Sequence, residues 1–193
     1  MKLSKILIFL TLLTILTSCH KPAPQKDIHE LLLSIRHYAC RFDVTLYSNK
    51  NSNTYTAIQE YNADGSYYME FLDPDQLKIQ YNNNTLQLSS NLSTTQYTQP
   101  YQERNQNPLF LSYFLNHYFN TEDSSILSKT STSVTLKMPQ HNDYLYQATL
   151  TIEDNLPKTL IYTDKNGTPR VNIIYSEFQS NSSCWLTPIS NLC

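Results

Sequence analysis

Glycine occurs only twice among the 193 residues, as Gly65 and Gly167, and each stands in a turn dipeptide, Asp64-Gly65 or Asn166-Gly167. None is left for a loop that brings its backbone against a phosphate, so the P-loop and dinucleotide fingerprints are absent and nucleotide chemistry is excluded. No serine lies in a Gly-x-Ser-x-Gly elbow, and neither Cys-x-x-Cys nor His-Glu-x-x-His occurs. His29, His37, His117 and His141 lack the close spacing of a metal site. Basic blocks are missing as well, which excludes nucleic acid as a partner. No catalytic, cofactor-binding or metal-binding residue is assigned.

The polar residues that remain have structural readings. His29 and His37, eight apart, share a solvated helix face, and His117 is a hydrogen-bonded histidine of an apolar helix. The carboxylate pairs Asp73 and Asp75, and Glu122 and Asp123, fall in predicted turns, where they cap and solvate. A nucleophilic Cys184 or Cys193 would need a basic partner, and none is identifiable.

What is present begins at the N terminus. Lys2 and Lys5 make a basic start, and Ile6 to Leu16 is an almost unbroken apolar run. Its length suits the core of a signal peptide and is too short to span a membrane. The run ends in Leu16-Thr17-Ser18-Cys19, the apolar, small, small, cysteine order of a bacterial lipobox. The expectation is cleavage before Cys19 and lipidation of its thiol. Residues 1–18 are then a lipoprotein signal peptide, and 19–26, with Pro22 and Pro24, an extended tether. Residues 27–193 form one domain on the outer face of a bacterial membrane, because two acyl chains suffice for stable anchoring. Loss of Lys2 and Lys5 takes the formal net charge from −2 to about −4.

Three cysteines remain, Cys40, Cys184 and Cys193, and in an exported protein one pair can be oxidised with one thiol left over. The sequence does not choose the pair. Cys40 shares the phase of Tyr38, Phe42, Val44 and Leu46, a strand with one face buried, so it also reads as a small apolar residue of the core.

Before that strand, Ile28, Leu31, Leu32 and Ile35 recur at helical spacing, with Asp27 as N-cap and Glu30 completing a capping box. After it come the segments 54–61, 66–72, 76–81, 85–90, 133–138, 143–153, 158–163 and 170–178. Their alternation and intervening turns predict an antiparallel sheet of eight or more strands. One segment differs. Pro108 to Phe119 is apolar nearly all round, with Asn107 as N-cap, and predicts a buried helix. The fold class is therefore α+β: a strongly curved antiparallel sheet wrapped round an apolar helix whose Leu109, Phe110, Tyr113, Phe114 and Tyr118 fill the interior.

Four stretches, in order, carry a resemblance. They are Gln59-Glu60-Tyr61 with Asp64-Gly65-Ser66-Tyr67-Tyr68-Met69-Glu70; Pro74-Asp75-Gln76-Leu77 leading to Tyr81-Asn82-Asn83-Asn84-Thr85; the helix from Pro108 to Phe114; and Leu156-Pro157-Lys158 through Asn166-Gly167 to Phe178. With the lipobox, they resemble the GerS-type spore-germination lipoproteins of the LolA/LolB-like lipoprotein-carrier fold. The resemblance covers roughly residues 42 to 179 and implies an open half-barrel. It also implies a non-catalytic partner of a cell-wall amidase of the CwlD type in spore cortex modification, with the capacity to form a homodimer. The wider fold implies an alternative, a carrier or sensor of lipid or another apolar ligand. Exposed tyrosines would suit protein recognition. The tail after Phe178, with Trp185, lies outside the resemblance.

Cys19→Ala is expected to abolish incorporation of labelled palmitate and to move the protein from the membrane to the soluble fraction. Unchanged sedimentation with membranes would rule out the anchor.

Overall fold

Alternation of side chains across strands organises the molecule. In β1 (Tyr38–Tyr47), Tyr38, Cys40, Phe42 and Val44 are buried while Arg41 and Asp43 face water. Its neighbours continue the buried face, with Gln59 and Ala57 of β2 (Ser52–Tyr61) opposite Cys40 and Phe42, and Tyr175 and Ile173 of β11 (Pro169–Ser180) opposite Phe42 and Val44. The computed structural model describes residues 27–72, 76–82, 84–98, 107–139 and 143–180.

The remaining strands are β3 (Tyr67–Phe71), β4 (Lys78–Asn82), β5 (Thr85–Ser89), β6 (Thr94–Thr98), β7 (Ile126–Lys129), β8 (Ser133–Lys137), β9 (Gln147–Glu153) and β10 (Leu156–Thr163). They form one curved, open, 11-stranded antiparallel sheet in the order β6-β5-β4-β3-β2-β1-β11-β10-β9-β8-β7. The chain thus makes two meanders, β1 to β6 and β7 to β11, joined at the centre of the sheet by β1 and β11. Between β6 and β7, at opposite edges, lies α2 (Leu111–Asn120), while α1 (Ile28–Ser34) precedes β1.

Turn chemistry sets the registers. Gly65 and Gly167 both have φ of 80°, the left-handed region where a side chain is strained. In each hairpin the glycine N–H donates three residues back, to Asn62 O or Asp164 O, and the flanking pair closes with Asn62 N–H to Ser66 O or Asp164 N–H to Thr168 O. That is the three-residue loop whose last position requires positive φ. The β9–β10 turn uses no glycine: Asp154 and Asn155 take φ of 52° and 61°, as a two-residue primed turn demands.

α1 is capped by Asp27, whose carboxylate accepts from the His29 N–H at 3.2 Å, and it buries Ile28, Leu31 and Leu32. It ends at Ser34, so His37 lies beyond it and does not share a helix face with His29. The second helix also departs from expectation. Asn107 Oδ1 accepts from Leu109 N–H and Asn107 O from Phe110 N–H, so these residues make a turn. The helix proper starts at Leu111, with Phe110 extended at its N-cap and no side-chain cap bond. Nor is it buried all round: Leu111, Phe114, Leu115 and Tyr118 form the buried stripe, while Phe119 is 38% exposed. The strand expected from Asp143 begins at Gln147, after a turn.

At the end of the sheet where β1 and β10 finish, one ion pair ties the loops together. Arg170 donates from Nε and Nη2 to Asp164 Oδ2, at 3.0 and 2.7 Å, and from Nη1 to Asn49 Oδ1. The Tyr144 ring lies 5.2 Å from the guanidinium. Asp164 Oδ1 accepts from the Asn166 and Thr168 N–H groups inside the turn. The Thr168 bond leads the causes that lower the Asp164 carboxyl below its usual range, ahead of the Arg170 bond.

Phe114 is fully buried in the core, and Phe114→Ala is expected to cost roughly 3–5 kcal/mol, a large part of a domain's stability, measured by urea unfolding. The Asp164 interactions favour the charged carboxylate, so they stabilise the fold above the ordinary aspartate value of about 4 and fade as pH falls through the lowered folded-state value. Asp164→Asn should lower the urea midpoint at neutral pH, and its deficit relative to the parent should shrink below about pH 4. A deficit independent of pH would show that the charge is not what matters.

Candidate functional site

The most organised polar group of the interior lies where α2 meets the sheet. Lacking a capping side chain of its own, the helix takes one from β1: the Ser112 N–H donates to the Tyr38 hydroxyl at 3.2 Å. Tyr38 in turn donates to Gln59 Oε1 at 2.8 Å, and Gln59 Nε2 donates to Leu109 O at 3.3 Å. Tyr38, Gln59 and Ser112 are all buried, so each bond satisfies a group that would otherwise be desolvated without compensation. Burial is also the main reason that ionisation of Tyr38 is pushed well above the usual tyrosine range.

Around this start the helix makes contacts in both halves of the sheet. The Phe110 ring packs on Tyr67 of β3 with centroids 4.6 Å apart, and Tyr67 stacks on Tyr81 of β4. On the other side His117 Nε2 donates to Lys137 O of β8 at 2.9 Å. His29 of α1 bonds through Nδ1 to the Tyr118 hydroxyl at 3.0 Å, with its ring against Phe119. His29 is exposed, as the sequence reads it, and is also engaged with α2.

Of the five residues assigned to the interior, Phe110, Phe114 and Tyr118 are buried, and Leu109 and Tyr113 pack half-buried against the core. Cys40 is buried and forms no disulfide among the described residues, and burial pushes the ionisation of its thiol up. Cys19, Cys184, Cys193, His141, Asp73 and Asp75 lie outside the described residues. Glu122 and Asp123 sit in an exposed 3-10 turn. Among the described residues, no group of three or more His, Cys, Asp or Glu side chains is placed to hold a metal ion. No helix among them is long and apolar enough to cross a membrane.

The tyrosines divide differently from the expectation of an exposed set. Tyr38, Tyr67, Tyr81, Tyr118, Tyr162 and Tyr175 belong to the core, while Tyr47 and Tyr144 are exposed. Those two belong to a rim. Leu46 and Tyr47 end β1, Leu72 follows β3, Leu77 precedes β4, Leu92 tips the β5–β6 turn and Tyr144 precedes β9, all exposed and all at the same end of the sheet. Leu92 is 95% exposed. Sequence reading missed this rim because its members come from four separate turns. On the outer face of β3, Tyr68 donates to Glu70, which also pairs with Lys78 at 3.1 Å.

Comparison with solved structures finds similarity to an uncharacterized conserved protein from Thermus thermophilus, at 10% identity and TM-score 0.49, covering 80% of this chain and 87% of that one. Similarity also extends to MucB of Pseudomonas aeruginosa in its complex with MucA, at 12% identity and TM-score 0.43, covering 79% of this chain and 56% of that one. A LolA superfamily protein, NE2245 from Nitrosomonas europaea, matches at 6% identity and TM-score 0.39 over 81% of this chain and 94% of that one. No curated protein matches the chain. The family model described as "Sporulation protein YdcC-like" matches residues 1–184, nearly the entire length, and the chain belongs to that family of sporulation proteins.

Proposed function

We propose that this protein is a non-catalytic, membrane-anchored binding protein of the sporulating cell, and that its partner is a cell-wall amidase of the CwlD type acting on spore cortex. The observation that carries the binding role is the rim of Leu46, Tyr47, Leu72, Leu77, Leu92 and Tyr144. Large apolar side chains held in water at one end of a sheet mark surfaces that another molecule covers. Tyr144 is stacked on Arg170, so part of the rim is presented on a rigid base, which lowers the entropy lost on association. Membership of a sporulation family supports the setting. The amidase and the GerS-type role come from the resemblance in the sequence, as does the homodimer. The lipobox supports placement on the outer face of a membrane, where an anchored domain meets the wall.

The carrier reading fits less well. Phe110, Leu111, Phe114, Leu115 and Tyr118 are buried between α2 and the sheet, occupying the space that an acyl chain would need.

Affinity capture of the full-length protein from sporulating cells, followed by mass spectrometry, is expected to recover a cell-wall amidase. Leu77→Glu combined with Leu92→Glu should reduce that recovery at least about tenfold, as loss of a central apolar contact at an interface does. Recovery of no amidase, or undiminished recovery with the double variant and with Tyr144→Ala, would remove the partner or the rim from the proposal respectively.

A further inference from the structure

Besides the rim at the strand ends, two exposed apolar side chains sit on the helices. Leu33 of α1 is 49% exposed, and Phe119 near the end of α2 is exposed as well. His29 connects them. Its ring lies 5.9 Å from the Phe119 ring, its Nδ1 bonds to the Tyr118 hydroxyl at 3.0 Å, and Leu33 stands one turn further along the same face of α1. The opposite side of α1, with Ile28, Leu31 and Leu32, is buried, so the outward face is fixed by the packing beneath it.

The chain that leads to this face says what covers it. Seven residues, 20–26, separate the lipobox Cys19 from Asp27, the N-cap of α1. Even fully extended, the eight steps from Cys19 to Asp27 reach about 28 Å. A domain of this length has a radius of gyration of about 15 Å and is some 40 Å across. The tether is therefore shorter than the domain is wide, and a domain anchored through Cys19 cannot hold α1 on the side away from the bilayer. Charge agrees with that orientation. Between residues 20 and 37, Lys21, Lys26 and Arg36 outnumber Asp27 and Glu30, whereas the mature chain as a whole is acidic. An anionic leaflet thus repels the rest of the molecule more than the segment next to the anchor.

We propose that His29, Leu33 and Phe119 rest on the bilayer in which Cys19 is anchored, making the α1 side of the domain its membrane-facing side. The inference rests on the lipid anchor of the proposed function and not on the amidase. Two apolar side chains make only a weak contact by themselves. A short tether makes a weak contact sufficient, because it holds the face beside the surface at an effective concentration on the order of millimolar. Glu30, also exposed on α1, limits the depth: the face lies among the headgroups, and Leu33 and Phe119 reach the upper part of the acyl chains.

The test uses the mature, lipidated protein in vesicles of phosphatidylethanolamine and phosphatidylglycerol brominated near the headgroup end of the acyl chains. Trp185 is the one native tryptophan. In a Trp185→Phe background, Leu33→Trp or Phe119→Trp puts a single fluorophore on the face, and Leu92→Trp puts one on the rim. Emission from positions 33 and 119 should fall by about half, since interfacial side chains sit roughly 5–10 Å deep and meet the bromines, while emission from position 92 should hold. Undiminished emission from positions 33 and 119 in vesicle-bound protein overturns the proposal. Equal quenching at all three positions overturns it too, because the domain then has no preferred face. If Leu33→Glu lowers amidase recovery in detergent while the tryptophans stay unquenched, the face belongs to the protein interface and the bilayer is the wrong occupant. Protein that neither incorporates palmitate nor binds vesicles removes the anchor and this inference with it. Amidase capture in detergent needs no bilayer, so its failure leaves the membrane face standing, and failed quenching leaves the rim standing.

Discussion

The buried bond between the Tyr38 hydroxyl and the Ser112 N–H, backed by Gln59, is the constraint on which the arrangement of the molecule turns. In a helix that begins with an extended phenylalanine, the Tyr113 N–H still finds Phe110 O, but the buried Ser112 N–H takes its acceptor from outside the helix. A side chain of β1 supplies it. Because that side chain sits on β1, and its partner Gln59 on β2, the helix is registered to the centre of the sheet. The link also explains why a strand whose inner positions are otherwise apolar carries a glutamine on its buried face.

The topology depends on the same link. The two meanders contact each other along β1 and β11, and α2 lies in the chain between β6 and β7, the strands at their outer edges. Contacts to Tyr67 on one side and Lys137 on the other make the helix a second tie between the halves, independent of backbone pairing. Hydrophobic burial supplies most of the driving force, and the polar bonds select one seating of the helix among those that burial alone would permit.

Much of this was legible in advance for a physical reason. Tyr38, Cys40, Phe42 and Val44 alternate because β1 has one dry face, and both glycines mark turns that need positive φ. What could not be read were the edges and the long-range bonds. Thr94–Thr98 and Ile126–Lys129 flank the sheet, where an outer strand has little to bury and so shows no alternation. The start of α2 misled because Asn107 and Pro108, residues that commonly open helices, instead build the turn before one. Tyr38 and Gln59 looked like ordinary members of their strands, since nothing local reveals that a distant helix lacks a cap. The exposed rim was hidden for a similar reason: its leucines and tyrosines are single apolar residues in separate turns, and only the folding of the sheet gathers them.

The central pairing of the first strand with the last has a kinetic consequence. Tyr38 lies opposite Ser180, so the middle of the sheet closes only when residues from the two extremes of the domain meet. Each meander can assemble from neighbouring hairpins, but the seam between them is a contact of very high sequence separation, the kind that slows folding. In a chain that emerges N terminus first, β1 must wait with one edge bare until β11 arrives, nearly the whole domain later. During that interval its unpaired backbone is the segment most open to pairing with another molecule.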